Sequence, residues 1–233
     1  MRALLVLADI GGYTQFMKLH RMSLAHAQEN TDRLLKAVVD AAPRLRLADL
    51  EGDAAFLYVP EPEDDEVART IVGLAGAMHR AFHGEQERMS SLRLCLCDAC
   101  CQVGQLKVKF VAHLGEIVPQ KVGRTQSLAG LDVILAHRLL KNSVPLPEYL
   151  LLTRPVLERC DEALRASAEP IEQELEGLGT EEVFYLDVSS LGFEPPPAPQ
   201  PRLADRIRHE LALTLRSVPY YARLKRSRFE AAR

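Results

Sequence analysis

The chain has 233 residues, 47% hydrophobic and 26% charged, and a net charge of −3. That composition supports a sizeable buried core and excludes disorder throughout, and the acidic balance argues against a nucleic-acid binder. No apolar run approaches the ~18 residues of a membrane span, and five cysteines, four of them between 95 and 101, do not make a secreted disulfide framework.

In chain order, Ala3–Asp9 is a near-continuous apolar run suited to a strand buried on both faces. It leads straight into a polar turn rather than a cleavage site, so we read a cytoplasmic protein opening on a strand. Thr14 to about Asp40 has helical spacing, with a break at Ser23–Ala25. Arg46–Asp49 and Ala54–Val59 flank Leu50-Glu51-Gly52-Asp53 as a hairpin. An acidic, proline-punctuated loop at 60–66 precedes a helix over Val67–Phe82. Lys107–Pro119 alternates as a strand with Val108, Phe110 and Ala112 on one face. A helix at Leu131–Leu140, a strand at Tyr149–Thr153, a helix at Pro155–Ala168 and a strand at Val183–Val188 complete an α+β order, helices covering one sheet.

Five prolines between 194 and 202 cannot continue a helix or a central strand. We therefore divide the chain into a domain over 1–191, a linker over 192–202 and a tail over 203–233. From Arg202 onward nine Lys or Arg stand against three acids, so a +6 tail faces a −9 remainder. Leu203, Ile207, Leu211 and Leu215 recur every four residues, which predicts an amphipathic helix breaking at Pro219. We expect its apolar stripe to be covered by its own domain, a dimer mate or a protein partner, ahead of a membrane surface.

Two carboxylates carry the first chemical signal. Asp9 ends the opening strand just before Gly11-Gly12, where backbone can approach a ligand closely. Asp53 stands at the hairpin tip, 44 residues later. Each alone reads as a turn residue; paired, they could hold Mg²⁺ or Mn²⁺ over a triphosphate. The second signal is Cys95-Leu96-Cys97-Asp98-Ala99-Cys100-Cys101. Cys95, Cys97 and Cys100 have the spacing of zinc or iron–sulfur ligands, with Cys101, His113 or a partner residue as a fourth. Buried small hydrophobes and a redox disulfide are the other readings of that cluster. His20, His26, His79 and His83 lie on predicted helices without a zinc-hydrolase arrangement.

Asp9-Ile10-Gly11-Gly12-Tyr13-Thr14 resembles the Asp-Ile-x-Gly-Phe/Tyr-Thr motif of class III adenylate/guanylate cyclases. Leu50-Glu51-Gly52-Asp53 resembles their Gly-Asp hairpin, His113-Leu114-Gly115-Glu116 their His-x-Gly-Glu strand end, and Gly130 to Leu139 their Gly-x-x-Val-Asn-x-Ala-x-Arg-Leu helix. Order and spacing agree over about residues 3–188. More narrowly, the Cys-x-Cys-x-x-Cys segment and His-Arg-Leu-Leu-Lys-Asn resemble a bacterial branch of cyclase-homology proteins. The resemblance implies a ferredoxin-like core with a mixed, mainly antiparallel sheet, a homodimer, and a site shared between two chains. It makes Asp9 and Asp53 metal ligands, Gly11, Gly12, Tyr13 and Thr14 the triphosphate turn, and Arg138 the transition-state arginine facing a mate's aspartates.

Two positions depart from the pattern. Asp49 stands where the resemblance implies a base-recognising lysine, and Ile134 in place of an asparagine that supports the transition state. Ser127 falls at the second base position, which the family fills with acidic, polar or small residues. Reversing a charge beside a polyanion is not conservative, and losing one positioned donor commonly costs about 10²–10³ in rate. We therefore expect a degenerate cyclase-like domain, a non-enzymatic regulatory module binding nucleotide, another ligand or protein. The alternative is an active cyclase using a two-metal mechanism.

Overall fold

A computed structural model describes residues 1–17, 21–60, 67–122, 125–194, 197 and 200–222. The elements are β1 (Arg2–Gly11), α1 (Tyr13–Met17), α2 (Arg21–Asp40), β2 (Arg46–Glu51), β3 (Ala54–Pro60), α3 (Val67–Leu92) and α4 (Asp98–Gln102). They continue with β4 (Lys107–Glu116), β5 (Val118–Val122), β6 (Thr125–Ala129), α5 (Leu131–Arg138), β7 (Tyr149–Thr153), α6 (Arg154–Leu157) and α7 (Glu162–Ser167). β8 (Glu169–Leu175), β9 (Gly179–Asp187) and α8 (Leu203–Tyr221) close the chain.

Seven strands form one sheet in the order β2-β3-β1-β4-β7-β9-β8, and β5–β6 is a separate hairpin. Among the described residues only the β4–β7 pair is parallel; its crossover carries α5. β1 is flanked by β3 and β4, and residues 3–8 are at most 1% exposed, as the apolar run predicts. Alternation then divides the core. Leu4, Val6, Ala8 and Ile10 pack with Phe110, Leu34, Val38, Met78 and Phe82, which buries α2 and α3 on one face. Ala3, Leu5 and Leu7 pack with Phe56, Val111, Leu151 and the Val133, Ala136 and Leu139 of α5 on the other. Each buried Leu, Val, Ile, Phe or Met among them contributes on the order of 1.5–3 kcal/mol. Asp9 follows Leu7 on the α5 side, and that places the site.

Several expectations are corrected. Ser23–Ala25 lies inside α2 rather than at a break; residues 18–20, between α1 and α2, lie outside the described residues. α3 runs well past Phe82, and Pro155–Ala168 is two short helices rather than one. β8 was not anticipated, because Glu-Pro-Ile-Glu-Gln-Glu-Leu is too polar to read as a strand; it sits at the sheet edge with its glutamates exposed. The helix of the tail continues across Pro219. Its stripe is not covered by the rest of the described chain: Leu203, Ile207, Leu211 and Leu215 are 46–71% exposed. The docking face of α8 is the other one, with Leu213 and Ser217 buried, Arg206 donating to the Arg93 carbonyl, and Arg216 paired with Glu29 at 3.1 Å. Charge and one leucine made this contact where leucine periodicity pointed to the opposite side. Among the described residues no helix is long and apolar enough to cross a membrane. The loop at 61–66 and the tail beyond 222 lie outside the described residues.

Candidate functional site

Asp9 and Asp53 meet at the end of β1. Asp9 pairs in register with Ala54, and the Ile10 amide donates to the Asp53 carbonyl at 3.1 Å, so the hairpin tip is fixed against the strand. Gly12 follows with φ +85°, a left-handed turn that glycine adopts without cost. Tyr13 is buried at the start of α1 and Thr14 is exposed.

The residue opposite Asp9 on β4 is Lys109. Its Nζ lies 3.0 Å from Asp9 Oδ2 and donates to the Leu140 carbonyl at 3.1 Å. Burial acts to lower the ammonium's pKa, but Asp9, Tyr149 and Asp53 outweigh it and the net shift is upward. Burial, then the neighbouring Asp9 charge, raises Asp53 to about 7 against smaller opposing contributions from its own backbone amide and Lys109. The site therefore holds a half-buried ammonium against Asp9, beside an Asp53 carboxyl that is reluctant to ionise. Reading Val108, Phe110 and Ala112 as one face of β4 left Lys107 and Lys109 on the other; a lysine on the Val111 side of a buried strand was the available signal.

Arg138 does not join Asp9 and Asp53 within the protomer. Its guanidinium is paired with Glu176 at 2.9 Å on the rim of an open cavity of about 620 Å³. Ile134, His137, Lys141, Glu174 and Leu175 also line it, and Asp9 and Asp53 do not. His137 Nδ1 lies 3.2 Å from Glu51 and its ring meets Phe56 edge-on at 4.6 Å, which holds α5 to the hairpin. Asp49 is exposed at a register shift in β2, its carboxylate accepting from the Leu50 amide at 2.7 Å. Ser127 is half-buried on β6, paired with Gln120.

The His-x-Gly-Glu segment has a structural reason. His113 Nδ1 lies 2.9 Å from Thr153 Oγ1, and its Nε2 lies 3.3 Å from Asp132. Asp132 also accepts from the Glu116 amide and leans on Gly115, where a Cβ would lie 2.4 Å from its carboxyl. The motif thus seats the first turn of α5 on β4.

On the opposite face, His79 and His83, one turn apart on α3, converge on Glu148 at 3.7 and 2.7 Å. Lys107 and the Val108 amide reach the same carboxylate. Burial would raise Glu148, but hydrogen bonds from His79, His83 and Val108 outweigh it and hold the group well below the usual range. This network ties the β7 approach to α3. Nothing in the spacing of the two histidines points to Glu148; their convergence is made by the fold.

The cysteines gather around a residue that spacing could not find. Cys95, Cys97 and Cys100 are joined by His26 of α2, the four donor atoms lying within 4.8 Å of one another. Cys101 is exposed and takes a hydrogen bond from Arg93, while His113 is engaged on β4, so neither completes the set. Cys160 is buried, its thiol donating to the Val156 carbonyl. Hydrogen bonding from Cys100 lowers the Cys97 thiol most; burial opposes it, His26 and Cys95 reinforce it, and the result is about 3.

The family model described as Protein of unknown function (DUF2652) matches residues 31–149. The chain is 36% identical over 195 residues to Uncharacterized protein Rv2561/Rv2562 of Mycobacterium tuberculosis, covering 84% of this chain and 90% of that one. Among solved structures it resembles the guanylyl cyclase Cya2, with TM-score 0.55 at 10% identity over 79% of this chain and 91% of that one. It also resembles the guanylate cyclase domain of RhGC from Catenaria anguillulae in complex with GTP, with TM-score 0.51 at 13% identity, covering 79% and 94%. These likenesses establish the fold, which is that of cyclase domains, with α8 following it.

Proposed function

Because the chain belongs to the DUF2652 family and carries the class III cyclase fold, we propose that it is a non-catalytic cyclase-homology domain, a regulatory module that binds nucleotide or protein. The observation that carries this reading is the Lys109 ammonium 3.0 Å from Asp9. A divalent ion at Asp9 and Asp53 would have to displace an internal cation already paired there and draw the proton from a carboxyl raised to about 7. With the Lys109 ammonium in place, the two carboxylates are not free to take Mg²⁺ or Mn²⁺. Asp49 and Ile134 point the same way, since neither supplies the donor that base recognition or transition-state support requires.

The unit proposed for this role is residues 1–191, with 192–202 as linker and 203–233 as tail, acting as a homodimer. With ATP or GTP and Mg²⁺ or Mn²⁺ it should make no cyclic AMP or cyclic GMP, and calorimetric nucleotide binding should not depend on the metal. Lys109→Ser, which removes the ammonium, should raise Mn²⁺ affinity. Turnover by the native chain that vanishes in Asp9→Ala would establish the active-cyclase alternative.

The exposed leucine stripe of α8 supports a protein partner for the tail. Deleting residues 202–233 should leave the domain folded while changing oligomeric state or partner capture. If both are unchanged and binding to anionic vesicles is lost, the tail is a membrane helix instead.

A further inference from the structure

We propose that His26, Cys95, Cys97 and Cys100 form a closed Cys₃His site for one zinc ion, and that this site fastens α8 to the domain. The argument begins with distances. His26 Nδ1 lies 3.6, 3.5 and 3.6 Å from the sulfurs of Cys95, Cys97 and Cys100. Tetrahedral zinc with Zn–S of about 2.3 Å and Zn–N of about 2.0–2.1 Å places nitrogen and sulfur roughly 3.5–3.6 Å apart. All three edges match that value. Three thiols crowded on one imidazole nitrogen are already arranged as the corners of a coordination shell, although nothing in hydrogen bonding alone favours three sulfurs converging on one atom.

The backbone supports the same geometry. Cys95 and Cys97 lie on the connection between α3 and α4, and Cys100 lies on α4. The Cys97 amide points at Cys95 Sγ at 3.5 Å, and the Asn30 amide, one helical turn beyond His26, points at Cys100 Sγ at 3.9 Å. Such donors offset the excess negative charge of three thiolates around a dication. Four protein donors fill a tetrahedral shell and leave no position for water or substrate, so the site is structural rather than hydrolytic. The soft sulfur set selects zinc over the hard ions that Asp9 and Asp53 would take.

The site also explains where α8 lies. The Cys95 amide donates to Glu210 at 3.0 Å, and Arg206 donates to the Arg93 carbonyl at 2.8 Å. The segment that carries the ligands is thus the ledge on which the helix rests. Fixing Cys95 fixes an amide that Glu210 needs; releasing the metal frees both.

The full chain, purified without chelator from zinc-supplemented cells, should contain about one zinc per chain by elemental analysis. Stoichiometric Co²⁺ added to the stripped protein should give the intense visible bands and sulfur charge-transfer absorption of a tetrahedral thiolate site. His26→Ala should weaken metal affinity by more than the roughly 10–100-fold typical of an outer-sphere change, whereas Cys101→Ser should leave it unchanged. The Co²⁺ spectrum of the native chain keeps the test decisive if a ligand variant fails to fold. Stripping zinc should also increase amide exchange in residues 203–221. Metal-free protein with no cobalt spectrum overturns the site, as does an affinity unmoved by His26→Ala or lost in Cys101→Ser. Unchanged exchange in α8 on stripping overturns the fastening.

Discussion

Asp53→Asn should stabilise the metal-free protein at pH 8, by on the order of 2 kcal/mol once the group's partial exposure is allowed for. The cause is burial beside Asp9, which raises the folded-state carboxyl to about 7. The sign follows from proton counting. Between about pH 4 and pH 7 the folded chain holds a proton at Asp53 that the unfolded chain has released, so this group's contribution to stability falls as pH rises through that window and is flat above it. Asn cannot ionise and removes the penalty. Urea unfolding of both proteins from pH 5 to 8 in the presence of chelator should therefore show two curves that diverge as pH rises. A variant less stable than the native chain at pH 8 would mean that the ionised carboxylate is welcome there, and the site would then be a cation site after all.

Gly115→Ala should destabilise the domain by about 1–3 kcal/mol, the usual cost of forcing extra volume into a packed contact. The new Cβ would lie 2.4–2.5 Å from the Cβ and carboxyl of Asp132. Asp132 cannot swing aside without losing the Glu116 amide and His113, so the strain passes into the first turn of α5. Asp132→Ala removes the obstacle along with those contacts. In a double-mutant cycle Gly115→Ala should therefore cost much less on the Asp132→Ala background than alone. Equal costs on both backgrounds would place the strain elsewhere.

Both predictions concern residues that motif matching located but did not explain. Asp9, Asp53 and Gly115 were legible because the chemistry that selected them left local traces: a strand end before two glycines, a hairpin tip, a glycine between His113 and Glu116. β1 was legible because a strand buried on both faces has no polar alternation to obscure it. What was not legible depends on pairing over distance. Lys109 meets Asp9 only through the β1–β4 register, and His26 meets Cys97 across 71 residues of chain. The cysteine spacing announced three donors and was silent on the fourth. α8 shows a different limit. Its leucine period was read correctly as one face, but a helix with a strongly charged face can dock by that face when guanidinium and carboxylate groups find backbone partners. Polar β8 escaped for the reason it is tolerated, since an edge strand gains from charge that a central strand could not bury.

The chain that follows β9 is pinned by Phe193. Its ring covers Gly76 of α3 so closely that a Cβ there would lie 2.5 Å away, and Arg80 lies over it at 5.8 Å. Only residues 194–202 separate that pin from α8, and nine residues can span no more than roughly 30 Å. A helix on so short a leash revisits its own docking ledge at an effective concentration in the millimolar range. A competitor for the inner face of α8 must outbid that local concentration, which a freely diffusing protein with modest affinity cannot do. The leucine stripe takes no part in that contact among the described residues. The latch at Gly76 thus keeps the inner face of α8 within reach of its own ledge.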